Sequence, residues 1–109
     1  MDLQVESRSR SNDLDRMVGN AERASDFLKA ISHETRLLIL CQLVDGEKTV
    51  NELEKILGLR QSRVSQQLAR LRADDLVAAC RNGKSVHYSL ARPDVVDIIS
   101  ALYRVFCRR

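Results

Sequence analysis

Residues 49–71 constrain the fold of this chain most strongly, because they predict two short helices joined by a tight turn. Thr49 and Glu52 have the T-x-x-E spacing of a capping box, which begins a helix. Gly58 follows the apolar stripe of that helix and suits a left-handed C-terminal cap. A second apolar stripe then has the i, i+4, i+7 spacing of a helix: Val64, Leu68 and Leu71. This pattern predicts a helix-turn-helix, whose second helix enters the major groove of DNA.

The polar face of the second helix carries groups that can read DNA. Serine, glutamine and arginine side chains hydrogen-bond base edges and phosphates, and Ala69 and Ala73 are small enough to allow close approach to a groove. Taken alone, this helix is also compatible with the ordinary solvated face of any amphipathic helix, although DNA reading is the favoured interpretation. The candidate DNA contacts on it are Gln61, Ser62, Arg63, Ser65, Gln66 and Arg70.

A basic hairpin is predicted directly after this helix. Residues 76–81 and 86–90 have strand character, and Asn82-Gly83 between them favours a type I′ turn, which needs positive φ at both central residues. Arg81 and Lys84 flank the tip, where DNA phosphates would lie. Residues 60–87 contain six arginines and lysines against two aspartates, a local charge of +4 that exceeds the +3 of the whole chain. The positive charge is therefore concentrated where DNA would bind.

The bulk composition bounds the class of protein. A chain of 109 residues with 44% apolar and 30% charged residues predicts one globular domain. We find no run of about 18 apolar residues and no apolar leader, so we expect a cytoplasmic protein without a membrane partner. Its three cysteines should then be reduced. Two tyrosines, two phenylalanines and no tryptophan argue against a single-strand binder that stacks bases.

The predicted architecture is mainly α with a small β-hairpin, in the order helix, helix, helix, helix, strand, strand, helix. Residues 1–12 are expected to form a mobile tail, and residues 13–109 one domain. The first helix should span residues 13–30, the second should follow Ser32 as N-cap and reach about residue 44, and the last should begin at Pro93. The first and last helices have long apolar faces, so we expect a homodimer that binds an inverted repeat with half-sites ~10 bp apart. The apolar stripe of the last helix comprises Val95, Ile98, Ile99, Leu102 and Phe106.

The chain resembles the ArsR family of winged-helix repressors over roughly residues 14–107. Residues 33–37 (HETRL) are similar to the family's H-x-T-R-L helix opening, and residues 59–68 (LRQSRVSQQL) to its recognition helix. Residues 76–77, 82–84 and 88–90 are similar to its wing. Arg60 departs from the pattern, because family members often carry a capping serine there. The resemblance implies a dimeric winged helix-turn-helix that binds double-stranded operator DNA and is not an enzyme.

Members of this family usually sense a metal, a metalloid or a reactive small molecule. Some bind metal through Cys-x-Cys on the first helix of the turn, but residues 50–53 contain no thiol here. Others use aspartate and histidine on the last helices, where this chain has Asp94 and Asp97 but no histidine. His33 and His87 are interpreted as cap or surface residues, because no set of three or four zinc ligands can be assembled. We therefore predict neither a metal site nor a cofactor.

The cysteines point to a different kind of sensor. Taken singly, each is most simply a small buried apolar residue. As a pair, Cys41 and Cys107 are similar to the dithiol of the family's sulfide- and persulfide-responsive members, the SqrR/BigR group. That resemblance implies that inorganic or low-molecular-weight persulfides bridge the two thiols and release the operator. Cys80, in the first wing strand, has no apparent partner.

The chemistry of thiols is compatible with more than one function. A thiolate is the nucleophile in exchange with persulfide sulfur, and Arg104, Arg108 and Arg109 place positive charge near Cys107. A bridge with inserted sulfur atoms spans a longer gap than a disulfide, so the spacing of the thiols could select persulfides over plain oxidants. The alternative is an ArsR-type repressor that binds Cu(I) or arsenite through the same thiols. A thiol-transferring enzyme is disfavoured, because the chain has no C-x-x-C motif.

Overall fold

The computed structural model describes the backbone of residues 7–107 and the side chains of residues 12–107. Contacts divide the chain into two units, residues 1–31 and residues 32–109. A 3₁₀ turn at Leu43–Asp45 follows the second helix, and a π-helical turn at Tyr103–Cys107 follows the last. The helices are α1 (Ser7–Ile31), α2 (Glu34–Gln42), α3 (Val50–Leu57), α4 (Gln61–Ala73) and α5 (Pro93–Leu102), and the strands are β1 (Lys48–Thr49), β2 (Val77–Asn82) and β3 (Ser85–Leu90).

The first unit consists of α1, which begins six residues earlier than the predicted start at residue 13. Residues 7–12 are therefore helical, whereas residues 1–6 of the predicted tail lie outside the described residues. Extending an existing helix adds one hydrogen bond per ordered residue, and no glycine or proline interrupts residues 7–12. Several large apolar side chains of α1 are more than half exposed: Leu14, Met17, Val18 and Leu28.

The second unit has a core built from one apolar side of each helix. The predicted stripe of α4 is confirmed, since Val64, Leu68 and Leu71 have no exposed surface. Helix α2 is the central helix, as predicted from its apolar residues on more than one side. The other fully buried side chains of this core are Ile39, Leu40, Leu53, Leu76, Val95 and Ile99.

The ends of α3 confirm the predicted capping signals. The Glu52 amide donates to Thr49 Oγ1 at 3.2 Å, and the Thr49 amide donates to Glu52 Oε1 at 2.8 Å. The hydrogen bond from the Thr49 backbone lowers the pKa of Glu52. Gly58 closes the helix in the left-handed conformation, with φ 66°, a backbone geometry that glycine adopts without steric cost. The turn between α3 and α4 is thus fixed by local sequence.

The start of α2 differs from the prediction. His33, rather than Ser32, is the N-cap, and its ring Nδ1 accepts a hydrogen bond from the Arg36 amide at 3.4 Å. The helix therefore starts one residue later than a serine cap would place it. His33 is therefore a cap residue, one of the two roles predicted for it.

The sheet has three strands in the order β1-β3-β2, one more than predicted. Strand β1 was missed because it is only two residues long and its second residue, Thr49, also caps α3. The hairpin turn is also displaced from the prediction. Asn82 pairs with Ser85, so Gly83 and Lys84 are the central residues of the turn. Gly83 has φ 65° and Lys84 has no positive φ, which fits a Gly-X type II′ turn rather than type I′.

Helix α5 begins at Pro93 as predicted, but its apolar stripe divides between two environments. Val95 and Ile99 are fully buried in the core, whereas Ile98 is 42% and Phe106 76% exposed in the single chain. Within the described residues, no helix is both long and apolar enough to cross a bilayer. The architecture is a winged helix-turn-helix, mainly helical with a small antiparallel sheet.

Candidate DNA interface and dithiol site

Helix α4 presents a polar face to solvent while its apolar face anchors it in the core. The predicted contacts Gln61, Ser62, Gln66 and Arg70 are exposed, and Ser65 is half-buried. Ala69 and Ala73 are also exposed, so this surface has small residues between polar ones. No side chain caps the start of α4, as expected with Arg60 at the N-cap position. The Arg63 amide bonds to the Arg60 carbonyl, so the amides of Gln61 and Ser62 are the ones left open to solvent or phosphate.

Arg63 makes a side-chain hydrogen bond within the protein that the sequence did not indicate. Its backbone lies on α4 and its side chain is exposed, but Nη2 donates to Thr35 Oγ1 on α2 at 3.2 Å. A neighbouring contact runs in the opposite direction, from Arg36 Nη1 on α2 to Gln67 Oε1 on α4 at 3.3 Å. Arg63 is therefore partly engaged within the protein, although guanidinium groups have five donors and can also contact DNA.

The wing places two basic side chains beyond the end of the sheet. Arg81 lies on β2 and Lys84 lies in the turn itself, and both are exposed. Strand β3 is tied to the loop before β1, since His87 Nδ1 lies 3.4 Å from Glu47 Oε1. The cationic tip is thus held on a sheet that also borders the N-terminus of α3.

The two predicted sensor thiols are in contact. Cys41, on α2, is 2% exposed, and Cys107, at the end of the π-helical turn, is exposed. Cys107 Sγ lies 3.5 Å from Cys41 Sγ, within range of a thiol hydrogen bond. Burial, together with this contact, raises the pKa of Cys41 to about 12. Cys41 is therefore protonated at neutral pH, and Cys107 is the thiol that solutes can reach.

Cys80 lies apart from this pair, on strand β2. It is exposed, stands opposite His87 in the sheet register and has its Sγ 4.0 Å from the Arg81 carbonyl oxygen. Neither of the other two cysteines contacts it within the residues whose side chains are described. Cys80 therefore serves as an internal control for thiol chemistry at Cys41 and Cys107.

Comparison with known proteins identifies the family. The model of the arsR family of bacterial regulatory proteins matches residues 33–79. The biofilm growth-associated repressor of Xylella fastidiosa is 40% identical over 91 residues, which cover 84% of this chain and 80% of that protein. This chain belongs to the ArsR family. It is accordingly a DNA-binding transcriptional regulator rather than an enzyme.

Two further proteins extend the comparison within the ArsR family. HlyU of Vibrio cholerae, named a transcriptional activator, is 42% identical over 95 residues, 87% of this chain and 88% of that protein. The structure of its reduced form has a TM-score of 0.80 and covers 85% of this chain and 98% of its own. The homodimeric winged helix-turn-helix domain of a possible ArsR-family regulator from Mycobacterium bovis has a TM-score of 0.72 at 28% identity and covers 84% of each chain.

Metal ligands are not assembled in the described part of this ArsR-family chain. Among its described residues, no three histidine, cysteine, aspartate or glutamate side chains are grouped so that they could hold a metal ion. Asp94 instead accepts hydrogen bonds from Arg92 Nε and the Val95 amide, both at 3.0 Å. The Arg92 hydrogen bond is the main cause that lowers the pKa of Asp94. This carboxylate is thus engaged at the start of α5.

Alkylation should distinguish the two contacting thiols. With limiting iodoacetamide at neutral pH, Cys107 should react first, while Cys41 stays unmodified because it is buried and protonated. Cys41 should stay overwhelmingly protonated between pH of about 7 and about 9, because its pKa of about 12 lies above that window, so its labelling should remain far slower than that of Cys107 at both pH values. Peptide mass spectrometry checks the order, with urea-unfolded protein as the control. Labelling of Cys41 before Cys107 in the folded state would contradict this assignment.

Proposed function

We propose that this ArsR-family regulator is a repressor that binds operator DNA when reduced and releases it when reactive sulfur bridges Cys41 and Cys107. The observation that carries the proposal is the 3.5 Å contact between a buried thiol on α2 and an exposed thiol after α5. A covalent bridge there joins two elements of the same unit. The relative from Vibrio cholerae that was solved in a reduced form supports a redox-dependent function.

The reaction proceeds in balanced thiol-exchange steps. The Cys107 thiolate attacks the terminal sulfur of a low-molecular-weight persulfide, RSSH, which forms Cys107-S-SH and releases the thiolate RS⁻. Attack by Cys41 on the Cys107 sulfur then expels sulfide and gives a disulfide, and the Cys41 proton leaves with the sulfide. If the exposed Cys107-S-SH first takes a second sulfur from another RSSH, which releases RS⁻, it becomes Cys107-S-S-SH, and Cys41 attacks the middle sulfur instead. The same loss of sulfide then gives a bridge with one inserted sulfur.

The spacing of the thiols favours the longer bridge. A disulfide bond is ~2.05 Å long, so forming one requires the two sulfur atoms to approach by roughly 1.5 Å. Two such bonds through one inserted sulfur place the terminal sulfurs about 3.3 Å apart. This span is close to the 3.5 Å of the reduced pair. Reactive sulfur can therefore close the bridge with less approach of the two Sγ atoms than a plain oxidant requires.

The operator contacts assigned to the protein are the exposed face of α4 and the tip of the wing. Helix α4 supplies Gln66 and Arg70 for base edges, and the wing supplies Arg81 and Lys84 for phosphates. One relative is named a repressor and another an activator. The proposed release of operator DNA is compatible with either a repressor or an activator, because its effect on transcription depends on where the operator lies relative to the promoter.

Substitutions in α4 and in the wing should affect DNA binding differently. Gln66→Ala should relax specificity, because glutamine can bond adenine through two groups, an interaction worth ~1–3 kcal/mol of discrimination. Lys84→Ala should weaken all sequences alike and reduce the salt slope by about one, because a lysine at the hairpin tip meets phosphate. Anisotropy titrations against matched and mismatched operators at several salt concentrations measure both. A change in base preference for Lys84→Ala alone would reverse the two assignments.

A symmetric homodimer is the proposed binding unit. The exposed apolar residues of α1 would be covered by a second copy, and the related domain from Mycobacterium bovis is homodimeric. Two copies related by a two-fold axis present two α4 helices to an inverted repeat. Further exposed apolar residues lie on the second unit at its C-terminal end: Ile98, Val105 and Phe106.

Intact-mass measurement tests the sensing chemistry directly. After treatment with a low-molecular-weight persulfide, we expect one or more sulfur atoms added and two hydrogens lost, with the addition mapped to a peptide that joins Cys41 and Cys107. Incubation with arsenite or Cu(I) tests the alternative ligand chemistry on the same thiols. A stable metal or metalloid adduct that releases DNA, with no response to persulfide, would overturn the proposal in favour of that alternative.

A further inference from the structure

Two side-chain hydrogen bonds join the first turn of α2 to α4. Arg63 on α4 donates to Thr35 Oγ1, and Arg36 on α2 donates to Gln67 Oε1. Together they form a reciprocal pair, since each helix supplies one arginine and one acceptor. Thr35 and Arg36 belong to the HETRL segment that resembles the family's helix opening. Their side chains contact the side of α4 that faces the protein interior.

These contacts are directional and partly shielded from water. Thr35 is 5% exposed and Arg36 is 9% exposed, so their polar groups depend on partners inside the protein. The apolar contacts in the same core have no directional preference and tolerate small sliding movements of one helix on another. Hydrogen bonds with fixed donor and acceptor atoms instead specify which residue of α4 faces which residue of α2.

The same helix carries the sensor thiol at its other end. Helix α2 has nine residues and is therefore roughly 13 Å long. Cys41 lies in its last turn, whereas Thr35 and Arg36 lie in its first. The sulfur atom inserted into the bridge needs room beside Cys41, which is only 2% exposed, so it displaces α2 although the two Sγ atoms stay about as far apart as before. A short α-helix moves as a rigid body, so its first turn is displaced as well. The hydrogen bonds of Arg36 and Arg63 join this first turn to α4, so the movement would reach α4 through them.

We infer that Thr35 and Gln67 are positioning residues that transmit bridge formation at Cys41 to the DNA-reading helix α4. This inference rests on the dithiol function proposed above. In the reduced protein the apolar core alone keeps α4 in the register that binds DNA, and the two hydrogen bonds tie its position to that of α2. When the bridge moves α2, they carry α4 with it, and the operator affinity falls. Without them, α2 shifts against α4 through apolar contacts alone, and the affinity responds little.

The test compares operator affinity in the reduced and the persulfide-bridged states of each full-length variant. Thr35→Val removes one acceptor while keeping the shape of the side chain, and Gln67→Met removes the other while keeping its length. The wild-type protein should lose about 5–150-fold in affinity on bridging. Each variant should lose less than about 3-fold, a loss of coupling, while its reduced-state affinity stays within about 3-fold of wild type. Intact mass establishes that the bridge has formed in every sample.

Matched controls separate coupling from general damage. Thr35→Ser keeps the hydroxyl acceptor and should retain the wild-type ratio of reduced-state to bridged-state operator affinity. Gln42→Met makes the same chemical change as Gln67→Met at a half-buried position of α2, and it should also retain that ratio. If Thr35→Val does not fold, as judged by reduced-state DNA binding, Gln67→Met and its Gln42→Met control decide the outcome alone.

Failure of the coupling and failure of the sensor give different results. If bridged wild type releases DNA and the Thr35→Val and Gln67→Met variants release it equally, the positioning role is wrong and the dithiol function stands. If bridged wild type binds as tightly as reduced wild type, the dithiol function is wrong and the positioning role falls with it. If the ratio of reduced-state to bridged-state operator affinity fell as far in Gln42→Met as in Gln67→Met, the positioning role would also be overturned.

Discussion

Treatment with a low-molecular-weight persulfide should lower the operator affinity of the wild-type protein about 5–150-fold, the usual range of allosteric coupling. Cys41→Ser and Cys107→Ser should each abolish this response and leave reduced-state binding near wild type. A serine hydroxyl does not exchange with persulfide sulfur, so either substitution removes one end of the bridge. Serine has nearly the same shape as cysteine, so replacing one sulfur with oxygen removes the chemistry with little change in packing. Anisotropy titrations at fixed salt, before and after treatment, measure the effect.

Cys80→Ser is the matched control for these variants. Cys80 is an exposed thiol like Cys107, but it lies on the wing strand β2 without contact to either of the other cysteines. It should keep the full response to persulfide. Loss of the response in Cys80→Ser, or its survival in either of the other serine variants, would show that the bridge between Cys41 and Cys107 is not the switch. Restoration of DNA binding by dithiothreitol checks that the release is reversible.

The parts of the fold that the sequence predicted correctly depend on local signals. Thr49 and Glu52 satisfy each other's backbone groups, and Gly58 supplies a left-handed cap, so the bounds of α3 follow from a few adjacent residues. The predictions failed where two local signals competed. Ser32 and His33 both precede α2, and only the structure shows that the imidazole accepts the Arg36 amide. Asn82-Gly83 has the composition of a type I′ turn, but the register of β2 and β3 centres the turn one residue later.

The candidate site required long-range information for a different reason. The polar face of α4 follows from helical periodicity, and its exposure was therefore predictable from spacing alone. The contact between Cys41 and Cys107 joins residues 66 positions apart, and the resemblance, not the spacing, suggested it. Nothing in the sequence predicted the hydrogen bond from Arg63 to Thr35, because an arginine on an exposed helix face is equally suited to bind a DNA phosphate. Arginine identity does not specify which acceptor the side chain reaches.

Replacing Met17 with glutamate should convert the proposed dimer into monomers at micromolar concentration and lower operator affinity about 100-fold or more. Met17 is 64% exposed in the single chain and lies in the apolar row of α1 that also contains Leu14, Val18 and Leu28. If a second copy covers this row, the substitution buries an unpaired carboxylate in each copy, which strongly disfavours association. The large loss of affinity follows because two linked α4 helices bind an inverted repeat at a high effective concentration, whereas separate monomers bind each half-site alone.

The control for Met17→Glu adds the same charge to the opposite side of the same helix. Asn12 is exposed and lies five residues before Met17, about 140° around the helix, so Asn12→Glu should leave both the dimer and the operator affinity near wild type. Sedimentation equilibrium gives the oligomeric state, and anisotropy with full and single half-site operators gives the affinities. Met17→Glu should bind the single half-site about as well as wild type, because α4 and the wing are unchanged. A Met17→Glu protein that stays dimeric, or a wild-type protein that is monomeric and binds full and half-sites equally, would show that α1 does not form the interface.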